Sequence, residues 1–347
     1  MEPSIQSVVA RPKTRKDYQS DQEVRWCPGC GDYAVLAQFQ KMLASIGARK
    51  EDHVIVSGIG CSSRFPYYVD CYGLHSIHGR APAIATGIKL ANPRLTVWVV
   101  TGDGDGLSIG IGHLLHALRR NVDIKILLFN NRIYGLTKGQ ASPTSPAGLT
   151  TRSTPAGNGD APVNAIQLAI DSGATFVARV RDTDTSGLKE VLEGAAGHRG
   201  AAFVEIYQNC PVFNDGAFNK PNETSFALYL KAGQSLIVND DEVLAFTSKG
   251  EPCLRAARGS RKYVHDPADR LNARRLANLD GGGLNDASLP VPFGILLKVD
   301  ETVHHDTVRR ERRKSGGLEA LQQRLGAPIG SQGESKIESD LDMRRIA

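Results

Sequence analysis

The chain has 347 residues, 41% of them hydrophobic and 23% charged, and a formal net charge of +5. This length suits one large α/β domain with an appended region, or two smaller domains. The small and scattered positive charge disfavours a nucleic-acid partner, and no apolar run reaches the roughly eighteen residues that a membrane span requires.

Residues 1 to 22 are polar, include Pro3 and Pro12, and show no periodicity. They are predicted to form an N-terminal arm that lies on a partner subunit. The first 25 residues also lack the apolar core of a signal peptide, so a cytoplasmic location is expected.

A Cys-x-x-Cys pair, Cys27 and Cys30, stands directly before a predicted helix. Apolar residues recur there at helical spacing, with Asp32 as the expected N-cap. Redox dithiols, zinc sites and iron–sulfur sites all use this pair. By itself the pair does not decide between them.

Two further cysteines follow predicted strands. Cys61 comes after the strand 54–57, and Cys210 comes after the strand 202–207. Four soft thiolates suit zinc or a 4Fe-4S cluster, although a zinc ribbon normally has two Cys-x-x-Cys pairs. The other two cysteines, Cys71 and Cys253, have no evident place in this set.

A His-Gly-Arg turn opens the helix predicted over residues 81 to 90. A lone histidine is more often a core or surface residue than a ligand contact. At the start of a helix, whose N–H groups favour anions, His78 becomes a candidate contact for a diphosphate or a substrate.

The central stretch is a βαβ unit with polar residues at both strand ends. The runs 95–100 and 124–129 are short and continuously apolar, which is typical of strands buried in a parallel sheet. Gly102, Asp103 and Gly104 follow the first strand, and Asn131 follows the second. Ligands of such sheets bind at these ends.

Oxygen donors suited to Mg²⁺ therefore meet at one sheet edge. Asp103, the amide oxygen of Asn131 and the backbone carbonyl of Ile133 are predicted to form the protein share of an octahedral site, which leaves positions for phosphate oxygens. The Gly-Asp-Gly segment alone would be interpreted as a tight turn, and the Asn-Asn pair alone as a loop. The alternating glycines do not match the G-x-G-x-x-G dinucleotide fingerprint, which disfavours a nicotinamide cofactor.

A loop rich in Pro, Ser, Thr and Gly runs from residue 141 to 162 and is expected to cover the cofactor or an entering substrate. Lys138 and Gln140, just before it, are candidates for anionic groups. Strand and helix patterns then alternate to about residue 215. The α/β domain is therefore placed at 23–218, a C-terminal appendage wrapped on partner subunits at 219–330, and a disordered tail at 331–347.

These motifs together resemble the β subunit of 2-oxoacid:ferredoxin oxidoreductases, most closely the 2-oxoglutarate branch. The resemblance covers roughly residues 20 to 220 and is carried by WCPGCG, GIGCSSRFP, HSIHGRAPAIATG, TGDGDGLSIG, NNRIYGLTKGQ and the lone Cys210. It implies the diphosphate-binding half of a thiamine diphosphate (TPP) fold, an α/β architecture with a largely parallel sheet and helices on both faces.

The resemblance also implies the cofactors and their ligands. One 4Fe-4S cluster would be ligated by Cys27, Cys30, Cys61 and Cys210. Mg²⁺ and the diphosphate of TPP would be held by Asp103, Asn131 and the carbonyl of Ile133. The expected partners are an α subunit, which carries the activating glutamate, together with ferredoxin, coenzyme A and the 2-oxoacid.

The implied reaction is oxidative decarboxylation of 2-oxoglutarate to succinyl-CoA and CO₂, with electrons passing to ferredoxin. Arg64 is a candidate for the substrate carboxylate, because a guanidinium binds a carboxylate with two hydrogen bonds; pairing within the fold is the alternative. Pyruvate or a branched-chain 2-oxoacid is the nearest alternative substrate. A non-redox TPP enzyme and a zinc-stabilised interaction module are the rival classes.

Overall fold

The computed structural model describes residues 11–218, 227–238, 241–247, 251–256, 263–279 and 289–314. The chain divides into two compact units, residues 1–303 and 304–347. The described part of the second unit is a single helix, α8 (His304–Lys314). Among the described residues no helix is long and apolar enough to cross a membrane.

The first unit is built on an eight-stranded sheet with strand order β2-β1-β3-β4-β6-β5-β10-β7. Its strands are β1 (His53–Ser57), β2 (Tyr72–His75), β3 (Thr96–Gly102), β4 (Ile124–Asn130), β5 (Phe176–Arg181), β6 (Ala202–Tyr207), β7 (Ala227–Tyr229) and β10 (Val291–Lys298). Every neighbouring pair is parallel except β5 and β10. A separate antiparallel hairpin contains β8 (Glu242–Phe246) and β9 (Pro252–Ala256).

Helices cover both faces of this sheet. They are α1 (Asp32–Ser45), α2 (Ala81–Ala91), α3 (Asp103–Leu107), α4 (Ile111–Arg119), α5 (Ala165–Asp171), α6 (Thr185–Gly197) and α7 (Arg270–Ala277). In β3, Val97 and Val99 pack into one hydrophobic cluster with α2, α4, α5 and α7, while Trp98 and Val100 pack into the other with α1 and α6. This two-sided burial explains why the central strands read as continuous apolar runs. The predicted α/β fold is confirmed.

The predicted arm differs from the structure over residues 11–22. Tyr18 is fully buried, and its hydroxyl donates a hydrogen bond to the carbonyl of Ala48, so this segment packs on its own chain. Asp32 is also placed differently. Gly31 has helical dihedral angles and precedes the first helical residue, so Asp32 begins α1 rather than capping it.

The predicted appendage differs from the structure as well. The sheet continues past residue 218, because β10 pairs with β5 and β7 pairs with β10. Helix α7 packs beside α5, where Asn164 donates a hydrogen bond to the carbonyl of Ala277 at 2.7 Å and Arg274 lies 2.7 Å from Asp171. Residues up to 303 therefore complete the same unit. The short helix predicted at 317–325 and the tail at 331–347 lie outside the described residues.

Candidate functional site

Asp103 stands where β3 ends and α3 begins. Its carboxylate is buried, and both Ser142 Oγ and Thr144 Oγ1 donate to the same oxygen, Oδ2, at 2.6 Å. Burial raises the pKa of this carboxyl to about 6, although the two hydroxyls act in the opposite direction. Asp103 is thus a buried acidic group held by neutral donors.

Asp105, two residues further on, makes hydrogen bonds to residues from three separate segments. Its Oδ1 accepts the backbone N–H groups of Ile59 at 3.1 Å and Gly79 at 2.7 Å, and lies 2.6 Å from His78 Nδ1. Its Oδ2 accepts the hydroxyl of Thr101. The carboxylate fixes the imidazole of His78 through Nδ1, which assigns that nitrogen as a donor and leaves Nε2 for other contacts.

The paired asparagines at the end of β4 have different roles. Asn130 turns into the sheet, where its Nδ2 donates to Glu205 Oε1 at 2.7 Å. Asn131 keeps its side chain at the sheet edge. Its Oδ1 accepts the N–H of Ile133 at 3.2 Å, and its Nδ2 donates to Gln208 Oε1 at 2.9 Å. Only the second asparagine is available to a ligand at this edge.

A first cavity brings together every residue predicted to bind TPP and Mg²⁺. It encloses about 590 Å³, part of it open to solvent. Its lining includes Cys61, His78, Gly102, Asp103, Gly104, Asn131 and Ile133. Tyr134 closes one wall, and its hydroxyl donates to the carbonyl of Gly104 at 3.0 Å. A β-carbon on Gly104 would lie 2.1 Å from Tyr134 Cε1, so the wall requires glycine at this position.

A second cavity, of about 810 Å³ with part open to solvent, brings together all four predicted cluster cysteines: Cys27, Cys30, Cys61 and Cys210. The Sγ atoms of Cys61 and Cys210 each lie 3.7 Å from the position that a β-carbon on Gly135 would take. Burial raises the pKa of Cys30 far above its usual range and that of Cys61 to about 11. These thiols therefore stay protonated at neutral pH unless a metal binds them.

Across the part of the chain that the structure describes, no three His, Cys, Asp or Glu side chains converge as they would around one metal ion.

The two cavities are adjacent and share a wall. Both are lined by Cys61, Asn131, Gly135, Leu136 and Gln208. A metal and diphosphate held by Asp103 and a cluster held by the cysteines would therefore be separated by single side chains.

Three sequence candidates lie away from the first cavity. Arg64 and Lys138 line the cysteine cavity, and Arg64 Nη1 donates to the carbonyl of Arg25 at 3.4 Å. Gln140 lines neither cavity, and its Nε2 donates locally to the carbonyl of Thr137 at 2.9 Å. Cys71 and Cys253 also line neither cavity.

Sequence reasoning did not single out Asp105, Ser142, Thr144 or Gln208. Asp105 lies within the recognised glycine-aspartate motif, so its position was the only signal. Ser142 and Thr144 sit in a loop rich in such residues, and nothing local distinguishes them from the others.

Comparison with known proteins decides the family. A family model described as the C-terminal TPP-binding domain of thiamine pyrophosphate enzymes matches residues 58–206. The 2-oxoglutarate synthase subunit KorB of Methanocaldococcus jannaschii is 42% identical over 194 residues, 56% of this chain and 72% of that protein. The chain belongs to the β-subunit family of 2-oxoacid:ferredoxin oxidoreductases.

Two further members of this family are similar over more of the chain. The 2-oxoglutarate oxidoreductase subunit KorB of Mycobacterium tuberculosis (strain ATCC 25618 / H37Rv) is 58% identical over 246 residues, 70% of this chain; the match spans 64% of that relative's length, just under two thirds. A solved structure of 2-oxoglutarate:ferredoxin oxidoreductase from Magnetococcus marinus, with 2-oxoglutarate, coenzyme A and succinyl-CoA bound, has a TM-score of 0.74 and 34% identity. The match covers 91% of this chain and 97% of the chain in that structure.

Proposed function

We propose that this chain is the β subunit of a 2-oxoglutarate:ferredoxin oxidoreductase. The reaction converts 2-oxoglutarate and coenzyme A to succinyl-CoA and CO₂, and the two electrons released pass one at a time to ferredoxin. The observation that carries the proposal is the pair of adjoining cavities, one with oxygen donors for a metal diphosphate and one with four cysteines. Relatives named for 2-oxoglutarate favour this substrate within the family.

The first cavity fits TPP and Mg²⁺ in its chemistry. Asp103, Asn131 and the carbonyl of Ile133 line it and provide the hard oxygen donors that Mg²⁺ prefers. The buried carboxylate of Asp103 receives hydroxyl hydrogen bonds rather than a lysine or arginine, so a bound cation would balance its charge. TPP, when bound, supplies the carbon nucleophile and electron sink that decarboxylation of a 2-oxoacid needs.

The second cavity fits a 4Fe-4S cluster. Cys27, Cys30, Cys61 and Cys210 come from the start of α1 and from the ends of β1 and β6, and all four line it. Burial disfavours the free thiolates of Cys30 and Cys61, and coordination to iron would supply the positive charge that stabilises them. A cluster here would accept electrons across the shared wall.

The remaining polar side chains bind and orient the substrate. His78, fixed by Asp105, presents its other ring nitrogen to a diphosphate or substrate oxygen. Arg64 and Lys138 supply positive charge on the cluster side, where we place the carboxylate of the substrate that does not react. The residue that activates the cofactor belongs to the α subunit, which we infer as the obligate partner.

The test is an anaerobic assay of this chain purified together with its α partner. We expect viologen reduction that requires both 2-oxoglutarate and coenzyme A, in a preparation that contains iron and TPP. A preference for pyruvate would keep the chemistry and change the substrate. A preparation with TPP, without iron, and inactive toward every 2-oxoacid would overturn the redox proposal in favour of a non-redox TPP enzyme.

A further inference from the structure

Gln208 connects the two cavities. It follows β6, is only 2% exposed, and lines both cavities. Its Oε1 accepts a hydrogen bond from Asn131 Nδ2 at 2.9 Å, and its Nε2 donates to Cys30 Sγ at 3.2 Å. One carboxamide therefore touches a predicted metal ligand on one side and a predicted cluster ligand on the other.

The orientation of this carboxamide is set by its partners. Nε2 also donates to the carbonyl of Asn209 at 2.6 Å, so both of its hydrogens are used. Asn131 must present its nitrogen to Gln208, because its own oxygen accepts the N–H of Ile133. A flipped Gln208 would place nitrogen against nitrogen, oxygen against a carbonyl oxygen and oxygen against Cys30 Sγ, so none of the three hydrogen bonds from Asn131, to Asn209 and to Cys30 would remain as described.

The backbone holds the bridge in place. The N–H of Gln208 donates to the carbonyl of Asn130 at 2.9 Å, so the residue is anchored to the end of β4, which also carries Asn131. Thus the glutamine, the metal-side asparagine and the cluster-side cysteine form one hydrogen-bonded path from Ile133 N–H to Cys30 Sγ.

We propose that Gln208 is a positioning residue that orients Asn131 for the metal diphosphate and, through the same amide, tunes the reduction potential of the cluster at Cys30. This inference rests on the proposed function.

The two effects have distinct physical causes. A hydrogen bond to a cluster thiolate draws electron density from the sulfur and favours the reduced cluster, so it raises the midpoint potential. A fixed hydrogen bond to the nitrogen of a ligating amide keeps its oxygen pointing at the metal. Cys30 also interacts with the backbone N–H of Asp32, so Gln208 is one of two polar contacts to this sulfur. The four cysteines would hold the cluster, so loss of the Gln208 hydrogen bond should shift the potential while the ligands stay in place.

Two substitutions separate these roles. Gln208→Glu keeps an acceptor for Asn131, removes the donor to Cys30 and adds negative charge; we expect a more negative midpoint potential with a small change in Mg²⁺ affinity. Gln208→Met is similar in size and makes neither hydrogen bond. It should lower the potential less and weaken Mg²⁺-dependent TPP binding by about tenfold.

The measurements are an EPR-monitored redox titration and a Mg²⁺ titration of TPP binding, both on the complex with the α subunit. Gln40→Met is the matched control. Gln40 is equally buried in α1, accepts from Arg15 Nε at 3.0 Å and donates to the carbonyl of Tyr68 at 2.9 Å, outside both cavities. We expect this variant to keep the wild-type potential and Mg²⁺ affinity.

Iron-loaded Gln208→Glu with an unchanged potential, or Gln208→Met with unchanged Mg²⁺ affinity, would overturn the inference and leave the proposed function intact. A wild-type complex without iron would instead overturn the cluster assignment itself. The two failures are therefore distinguishable.

Discussion

Two buried polar networks lie at opposite edges of the same sheet and differ in how their charge is balanced. At the amino-terminal edge, Asp123 lies 2.6 Å from the ammonium group of Lys125 and 2.7 Å from that of Lys89. Burial alone would raise the pKa of Asp123, but the two lysines outweigh it and lower the pKa to about 2. This edge carries its own counter-charges.

At the carboxyl-terminal edge, two buried carboxylates have other partners. Asp103 receives two hydroxyls, and Asp105 receives backbone amides, a hydroxyl and the His78 ring. The comparison supports different roles for the two networks. A charge that is balanced within the chain stabilises the fold, whereas a buried carboxylate held by neutral donors at a cavity, as Asp103 is, supports our proposal of a cation site there.

Removal of the Asp103 charge should have the largest effect on function. In Asp103→Asn we expect TPP and Mg²⁺ to be lost and the 2-oxoacid-dependent rate to fall at least about a hundredfold. The apo-protein should be at least as stable at neutral pH as the parent, because an amide avoids the cost of a buried carboxylate. Calorimetric Mg²⁺–TPP binding and thermal unfolding check both halves; Mg²⁺-dependent binding in this variant would contradict the assignment.

The matching change at the other edge should affect stability instead. Asp123→Asn leaves Lys125 and Lys89 buried without their carboxylate, and we expect a loss of about 3 kcal/mol in the free energy of unfolding. Urea denaturation measures this loss, and the folded fraction should still bind TPP. Asp123→Asn combined with Lys125→Met should lose less than the sum of the two single variants. An additive result would mean that the pair does not interact.

Substitution of Gly104, in the turn beside the first cavity, should have a smaller effect on stability and binding than the two charge changes. In Gly104→Ala the new methyl group would overlap the ring of Tyr134, and overpacking of this kind costs about 1–3 kcal/mol. We expect reduced stability and weaker TPP binding. Gly112→Ala is the control, since a β-carbon there meets nothing within 4 Å; as a helical, exposed position it should gain up to about 1 kcal/mol. Equal behaviour of the two variants would refute the close packing.

The smallest effect distinguishes the two edges by how their stability responds to acid. His198 belongs to the amino-terminal edge, where its carbonyl accepts a hydrogen bond from Lys125. Burial, assisted by Lys125, lowers the pKa of His198 to about 4, so the unfolded chain binds its proton first and apo-protein stability falls as pH drops from 6.5 towards 4. Protonation of Asp103 has the opposite effect on stability. Its pKa in the folded protein, about 6, exceeds the ordinary value of 3.8, so protonation over the same range stabilises the fold.

Stability curves of the apo-protein between pH 4 and 7 test this opposition. Asp103→Asn should lose more stability on acidification than the parent, and His198→Gln should lose less. Parallel curves for all three proteins would show that neither group titrates as the burial of its side chain requires.

The sequence predicted most of the site because the signals are local. Strands buried on both faces produce continuous apolar runs, and the turn after each strand of a parallel sheet delivers its side chains to one edge. For that reason the sequence alone could place Asp103, Asn131, Cys61 and Cys210 at one edge. Cys27 and Cys30 precede a helix, and the family resemblance added them to the set. Their cofactor roles remain proposals.

The features that sequence reasoning missed depend on contacts across long separations. Thr144 donates a hydrogen bond to Asp103, from which it is separated by 41 positions in the sequence, and Gln208 donates one to Cys30 over a separation of 178. No periodicity encodes such a pairing. Arg64 follows Cys61 by three residues, but Cys61 lines both cavities whereas Arg64, in the 3-10 helix at Ser62–Tyr68, lines the cysteine cavity and not the first one. A local motif predicts which edge a residue reaches, but not which cavity it faces.

The antiparallel strand β10 has a consequence for how the protein is made. It pairs with β5, although more than a hundred residues separate the two strands along the chain. During synthesis, β1 to β6 can assemble while the ribosome is still translating, but the outer edge of β5 stays unpaired until residue 298 has emerged. An unpaired strand edge recruits other chains. Truncated chains that end before β10 should therefore aggregate, even though they contain every candidate site residue.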